Sequence, residues 1–136
     1  DVLAAFHSGA FWAQHGQFVN SVEFIVQADN ETLLTGQSGN TRSGRLNVKL
    51  SVNLNDLDWQ GYATSLDELE LVIITENDVA AIPFYDVKLD SNKLIINYEY
   101  LLTDPFVIFR WRGRSIQPGQ QDYMFYTNPI KIEWRQ

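Results

Sequence analysis

"RLNVKLSVNLN", Arg45 to Asn55, decides the fold class of this 136-residue chain. Leu46, Val48, Leu50, Val52 and Leu54 alternate without exception with Arg45, Asn47, Lys49, Ser51, Asn53 and Asn55. Successive side chains of a strand point to opposite faces, so one face of this segment is wholly aliphatic and the other wholly polar. A segment of that kind is a half-buried strand of an antiparallel sheet, with one side on a core and the other in water.

The same period extends in both directions. Upstream, Val22, Phe24, Val26 and Ala28 alternate with Glu23, Ile25 and Gln27, and Asp29-Asn30-Glu31 follows as a turn. Downstream, "ELELVIITEND" (Glu68–Asp78) sets Leu69, Leu71 and Ile73 on one face, with Val72 and Ile74 on the other. Glu76-Asn77-Asp78 turns it into Val79–Leu89, and Asp90-Ser91-Asn92 turns that run into Lys93–Leu102. Short connections rich in residues that tolerate left-handed backbone are a hairpin signature. In "PFVIFRWRGR" (Pro105–Arg114), Val107, Phe109 and Trp111 alternate with Ile108, Arg110 and Arg112. The chain closes on "MFYTNPIKIEW" (Met124–Trp134), where Pro129 fixes φ and lacks an N–H, which places it at a strand entrance or edge. Ile130, Ile132 and Trp134 are then expected to face the core, as is Trp111.

About eight strands and almost no helix predict an all-β, two-layer antiparallel β-sandwich. The one helical signal is a short N-terminal helix over residues 1–9, with Asp1 as N-cap, Val2, Leu3 and Phe6 on one side and Gly9 ending it. With no linker, repeat or low-complexity tract, residues 1–136 read as a single domain. Three longer connections, Thr35–Gly44, Asn55–Ser65 and Gly113–Gln121, are the default places for a binding surface.

Composition narrows the function classes. Apolar residues make up 45% and aromatics 13%, too rich for a disordered chain. Ten basic against 17 acidic side chains give a net charge of −7, which argues against nucleic acid as a partner, since its phosphates need a basic footprint. The absence of cysteine removes disulfides, thiolate chemistry and Cys-based zinc sites. No apolar run approaches the ~20 residues of a membrane span. The start lacks the basic region of a signal peptide, and Asp1 in place of Met reads as a processed or excised piece.

No constellation points to catalysis. His7 and His15 are the only histidines and have no third ligand in view. Asp56 and Asp58 in "NDLDW" have the chemistry to attract a hard cation, but the loop lacks the glycine and bidentate Glu of an EF-hand. There is no G-x-S-x-G, and the glycines of Thr35–Gly44 lack P-loop spacing and its Lys. Catalytic, metal and cofactor residues are therefore all read as none. Two features remain as ligand or partner contacts. Arg110, Arg112 and Arg114 share one strand face; they form an anion-binding row or, as preferred, pair across strands with Glu70, Glu99 or Glu133. Trp59 and Tyr62 lie in the polar loop "DLDWQGY"; they stack on sugar or, as preferred, the Trp tucks the loop down.

Three stretches in order carry a family resemblance: "VLAAFHSGAFWAQHGQFV", "DELELVIITEND", and "FVIFRWRGR" with "YMFYTNPIKIEW". Together they resemble the C-terminal β-sandwich that follows the catalytic barrel in some bacterial enzymes of the PHP (polymerase and histidinol phosphatase) superfamily of metal-dependent phosphoesterases. The barrel of such enzymes holds its metals through H-x-H and D-x-H motifs. This chain has neither, so no catalytic residue is transferred. The resemblance implies a non-catalytic, immunoglobulin-like accessory domain that packs on an upstream catalytic domain, shapes its mouth or binds a partner, in a secreted or periplasmic setting. The alternative is a free-standing carbohydrate-binding module using Trp59 and Tyr62. A third reading, an enzyme with Asp56 or Asp58 as acid or base, lacks convergent partners.

Overall fold

A computed structural model describes residues 12–84 and 89–135. The helix expected over residues 1–9, and His7 with it, lie outside the described residues. Eleven strands follow one another: β1 (Trp12–His15), β2 (Val19–Ala28), β3 (Glu31–Leu34), β4 (Ser38–Thr41), β5 (Arg45–Leu54) and β6 (Glu68–Thr75), then β7 (Val79–Phe84), β8 (Lys93–Leu101), β9 (Phe106–Ser115), β10 (Tyr123–Thr127) and β11 (Ile130–Trp134).

They form two sheets. One runs β3-β2-β5-β8 and is antiparallel throughout. Its central strand β5 is the opening stretch, and its alternation is reproduced residue by residue: Leu46, Val48, Leu50, Val52 and Leu54 are buried while their neighbours are not. The other sheet runs β7-β6-β9 and then divides, because the far edge of β9 pairs with β10 over one half and with β11 over the other. β1 extends the β10 side, and β4 runs parallel to β11. The inner faces meet in one cluster that includes Phe24, Leu50, Leu71, Phe109, Phe125 and Ile132. Rings bridge the layers: Phe24 stands edge-on to Trp111 at 6.5 Å, and Tyr100 edge-on to Phe109 at 5.3 Å. Edge-to-face pairs of this kind favour one relative placement of the sheets.

Several expectations change. The Thr35–Gly44 connection contains β4, which carries no apolar alternation because it is four residues long and joins the sheet through its backbone alongside β11. Gly39 fits there because a Cβ would lie 2.5 Å from a Leu33 methyl. The turn at Asp90–Lys93 forms as read, with Ser91 and Asn92 both at positive φ, as a two-residue turn of the primed kind requires. It does not close a hairpin, however. β7 belongs to the divided sheet and β8 to the other, so the turn only launches β8 against β5. Trp134 is 37% exposed and not a core residue. The core ends at Ile132, and beyond it the Trp134 ring lies across Gly44, where a Cβ would come within 2.4 Å of it.

The Thr127-Asn128-Pro129 step divides the sheet. Tyr126 faces Arg112 and Ile130 faces Phe109, so three residues on this strand oppose two on β9. That is a bulge, and it bends the closing strand away from its neighbour. The ladder bond lost there is replaced: the buried Trp111 N–H donates to Thr127 Oγ1 at 3.0 Å. Thr127→Val keeps the shape and removes the acceptor, leaving a buried N–H unpaired. Its expected cost is roughly 1–3 kcal/mol in chemical denaturation, and Thr127→Ser should recover most of it.

Candidate functional site

One end of the sandwich carries two long loops, 55–67 and 116–122, and the residues that organise them are polar. Asp58 is the centre of the first. Its Oδ1 accepts the backbone N–H groups of Gln60 (2.8 Å) and Tyr62 (3.0 Å), and its backbone exchanges further bonds with Gly61 and Tyr62. Gly61 sits at φ +86°, a conformation that a side chain would strain, which lets the chain double back beneath Asp58. Aspartate folding its own downstream backbone is the usual logic of an Asx turn.

The second anchor is Tyr123, the first residue of β10. Its hydroxyl lies 3.2 Å from Asp58 Oδ2 and 3.3 Å from Gln60 Oε1, and it accepts from Gln120 Nε2 at 3.5 Å. Its ring is buried and stacks at a tilt on Phe18, with His15 edge-on at 6.0 Å. Burial pushes the Tyr123 hydroxyl above its ordinary pKa, and the Asp58 carboxylate pushes it the same way. Burial also drives the Asp58 carboxyl up, but the N–H groups of Tyr62 and Gln60 and the Tyr123 hydroxyl outweigh it and leave it below the usual carboxylate value. Asp58 is thus held ionised with its lone pairs occupied, the opposite of a poised general acid.

The two loops are stitched together. Ser65 Oγ and Ser115 Oγ are 2.9 Å apart and Asp67 accepts the Ile116 N–H at 2.7 Å, while Asp122 closes the second loop on itself by accepting the Gln117 N–H at 3.0 Å. Gln120 Nε2 donates to Gln60 Oε1 at 3.2 Å. On the first loop, Leu57, Trp59 and Tyr62 stand out of this frame at 57%, 59% and 68% exposure. The expectation that Trp59 tucks the loop down is not what the structure shows. Asp58 holds the loop and Trp59 is presented to solvent.

Of the cross-strand pairs anticipated for the arginine row, one forms. Arg112 pairs with Glu70 on β6, whereas Arg114 lies 3.6 Å from Glu68 and 3.9 Å from Asp122. Glu99 is on the other sheet and Glu133 faces Phe106, so neither reaches the row. Arg110 is exposed and makes no ion pair among the described residues. Since the Arg112 and Glu70 side chains are 41% and 31% exposed, Glu70→Gln should change stability by no more than ~1 kcal/mol in urea denaturation.

A wider groove of about 630 Å³ lies at the other end, on the outer face of β2, β5 and β8, lined by Gln27, Asp29, Arg45, Asn47 and Glu99 among others. Its Asp29 carboxylate is occupied by Thr41 and by Arg42 and Ser43 of the neighbouring turn, and no aromatic ring stands exposed in it. Asp29 there does for the Thr41–Gly44 turn what Asp58 does for its own loop. Among the described residues, no group of three or more His, Asp and Glu side chains has metal-binding geometry.

Sequence reading singled out Trp59 and Tyr62, and both are exposed on the 55–67 loop. It missed Tyr123, Gln60 and Gln120, because residues about sixty positions apart leave no local pattern that joins them. No protein-family model and no curated protein matches the chain.

Proposed function

We propose that this chain is a non-catalytic accessory domain, an immunoglobulin-like β-sandwich of a PHP-type metal-dependent phosphoesterase-like protein, whose contact surface is the two-loop end carrying Trp59 and Tyr62. The observation that carries the contact surface is the pairing of exposed rings with a rigid base: two aromatics over half exposed, on a loop fastened through Asp58 to Tyr123. An exposed ring on a mobile loop loses conformational freedom when it binds. A ring on a pre-ordered loop loses little, and so contributes more of its contact energy. The immunoglobulin-like type is supported by the two layers, antiparallel except where β4 joins β11, closed around buried Trp111, which meets Phe24 of the facing sheet. The PHP association is supported by the order of the three motif stretches along the chain.

Two experiments test the two halves. Sequencing the coding region upstream of Asp1 should reveal a barrel with an H-x-H motif; a signal peptide directly before Asp1 removes the phosphoesterase context. For the surface, Trp59→Ala/Tyr62→Ala should abolish retention of the domain's partner in pull-downs while the melting temperature stays within a few degrees of the parent. Undiminished retention moves the contact surface elsewhere.

A further inference from the structure

We propose that the two-loop end is a carbohydrate site in which Trp59 is the platform and the Gln60–Gln120 amide pair is the polar half. This rests on the reading of that end as a contact surface and adds its ligand chemistry. Gln60 and Gln120 come from different loops, both are exposed, and they meet at 3.2 Å beside the Tyr123 hydroxyl. Each amide has a donor end and an acceptor end. Bonding to each other uses one of each and leaves the Gln60 NH₂ and the Gln120 carbonyl to bond a ligand; turning both amides over leaves the same complement. Neighbouring sugar hydroxyls each donate and accept, so a donor and an acceptor held side by side match a vicinal pair.

The platform is equally specific. Trp59 stands on the loop that Asp58 folds, next to Gln60 in the chain, and its indole is 59% exposed. The C–H face of a pyranose is the apolar surface that such a ring covers, and Tyr62 and Leu57 of the same loop are exposed as well.

The charge at this end selects against other occupants. Asp56 accepts from Asn92, Asp58 from Gln60 and Tyr62, Asp67 from Ser65 and Ile116, and Asp122 from Gln117. These carboxylates oppose an anionic ligand. Beside them the two loops present neutral groups, ring faces, an NH₂ and a carbonyl, which suit an uncharged ligand.

The test is titration of the intact chain, followed by Trp fluorescence, against hexasaccharides of β-1,4-linked glucose, xylose, mannose and N-acetylglucosamine, with poly-lysine and inorganic phosphate as charged comparators. At least one saccharide should bind and shift the emission. Trp59→Ala should weaken that binding by about thirtyfold, and Gln60→Ala or Gln120→Ala by about fivefold each, with melting curves unchanged. Failure of all four saccharides to bind overturns the proposal. Poly-lysine binding that Trp59→Ala removes, without saccharide binding, keeps the contact surface and overturns the sugar assignment. Saccharide binding that survives Trp59→Ala overturns both the platform and the contact surface at this end.

Discussion

Gly113→Ala should destabilise the fold by roughly 1–3 kcal/mol, the range for forcing an extra methyl into a packed core. Gly113 lies within β9 with Phe125 directly opposite on β10 and Leu69 opposite on β6. A Cβ there would stand 2.1 Å from the Phe125 ring, and that ring is completely buried. Gly113 is not at positive φ, so the cost lies in packing and not in backbone strain. The ring covers the missing side chain, a known way to let glycine sit in a sheet without leaving a void. Phe125→Leu in the same background tests this. It should cost stability alone, yet in combination with Gly113→Ala the total loss in urea denaturation should fall short of the sum of the single losses. Additive losses would mean that the two do not share the space. Phe125 also packs at 6.2 Å from Phe18, which in turn touches Tyr123. The single substitution should therefore loosen the two-loop end as well as the core.

What could be read from the sequence, and what could not, follows the range of the interactions. β5 and β2 announce themselves because half-burial repeats every second residue and is written in composition. The turn at Ser91-Asn92 is visible for a similar reason, since positive φ selects a few residue types. Which sheet receives the strand after that turn was not visible, because partner choice depends on the cores of both layers. β4 was hidden for another reason. An exposed edge strand held by backbone bonds needs no apolar residue, so Ser38-Gly39-Asn40-Thr41 reads as a loop. Trp134 has the right phase for the core and the wrong position, one residue pair beyond its end. The candidate site divides along the same line. An aromatic in a polar loop stands out in one dimension, whereas a tyrosine hydroxyl that gathers Asp58, Gln60 and Gln120 exists only in three.

Asp58→Ala should give the largest effect on the site itself, and the acid dependence of that site should identify the carboxylate as the cause. Removing the side chain frees the Gln60 and Tyr62 N–H groups and deprives Tyr123 of its carboxylate partner, so the loop loses its fold. Amide hydrogen exchange at Gln60 and Tyr62 should rise toward that of an unstructured segment, while the β5 and β9 amides keep their protection. Ligand binding should vanish along with the order of the loop. The pH dependence follows from the direction of the shift. Asp58 is held below its ordinary value of 3.8 when folded, so the stabilisation it provides is complete above that value. It is lost as pH falls through the lower, folded value. The loop amides should therefore remain protected at pH 5 and become exposed in stronger acid. Asp29 is also lowered, by the Ser43 hydroxyl and the Arg42 N–H, so the opposite end should loosen over a similar range. Asp58→Asn separates the two. Its amide oxygen can still accept the Gln60 and Tyr62 N–H groups at any pH, so the acid opening of this loop should disappear while that of the Thr41–Gly44 turn persists. If Asp58→Asn leaves the acid opening at Gln60 and Tyr62 in place, the loop is held by something other than the Asp58 charge, and the rigid platform beneath Trp59 has to be explained another way.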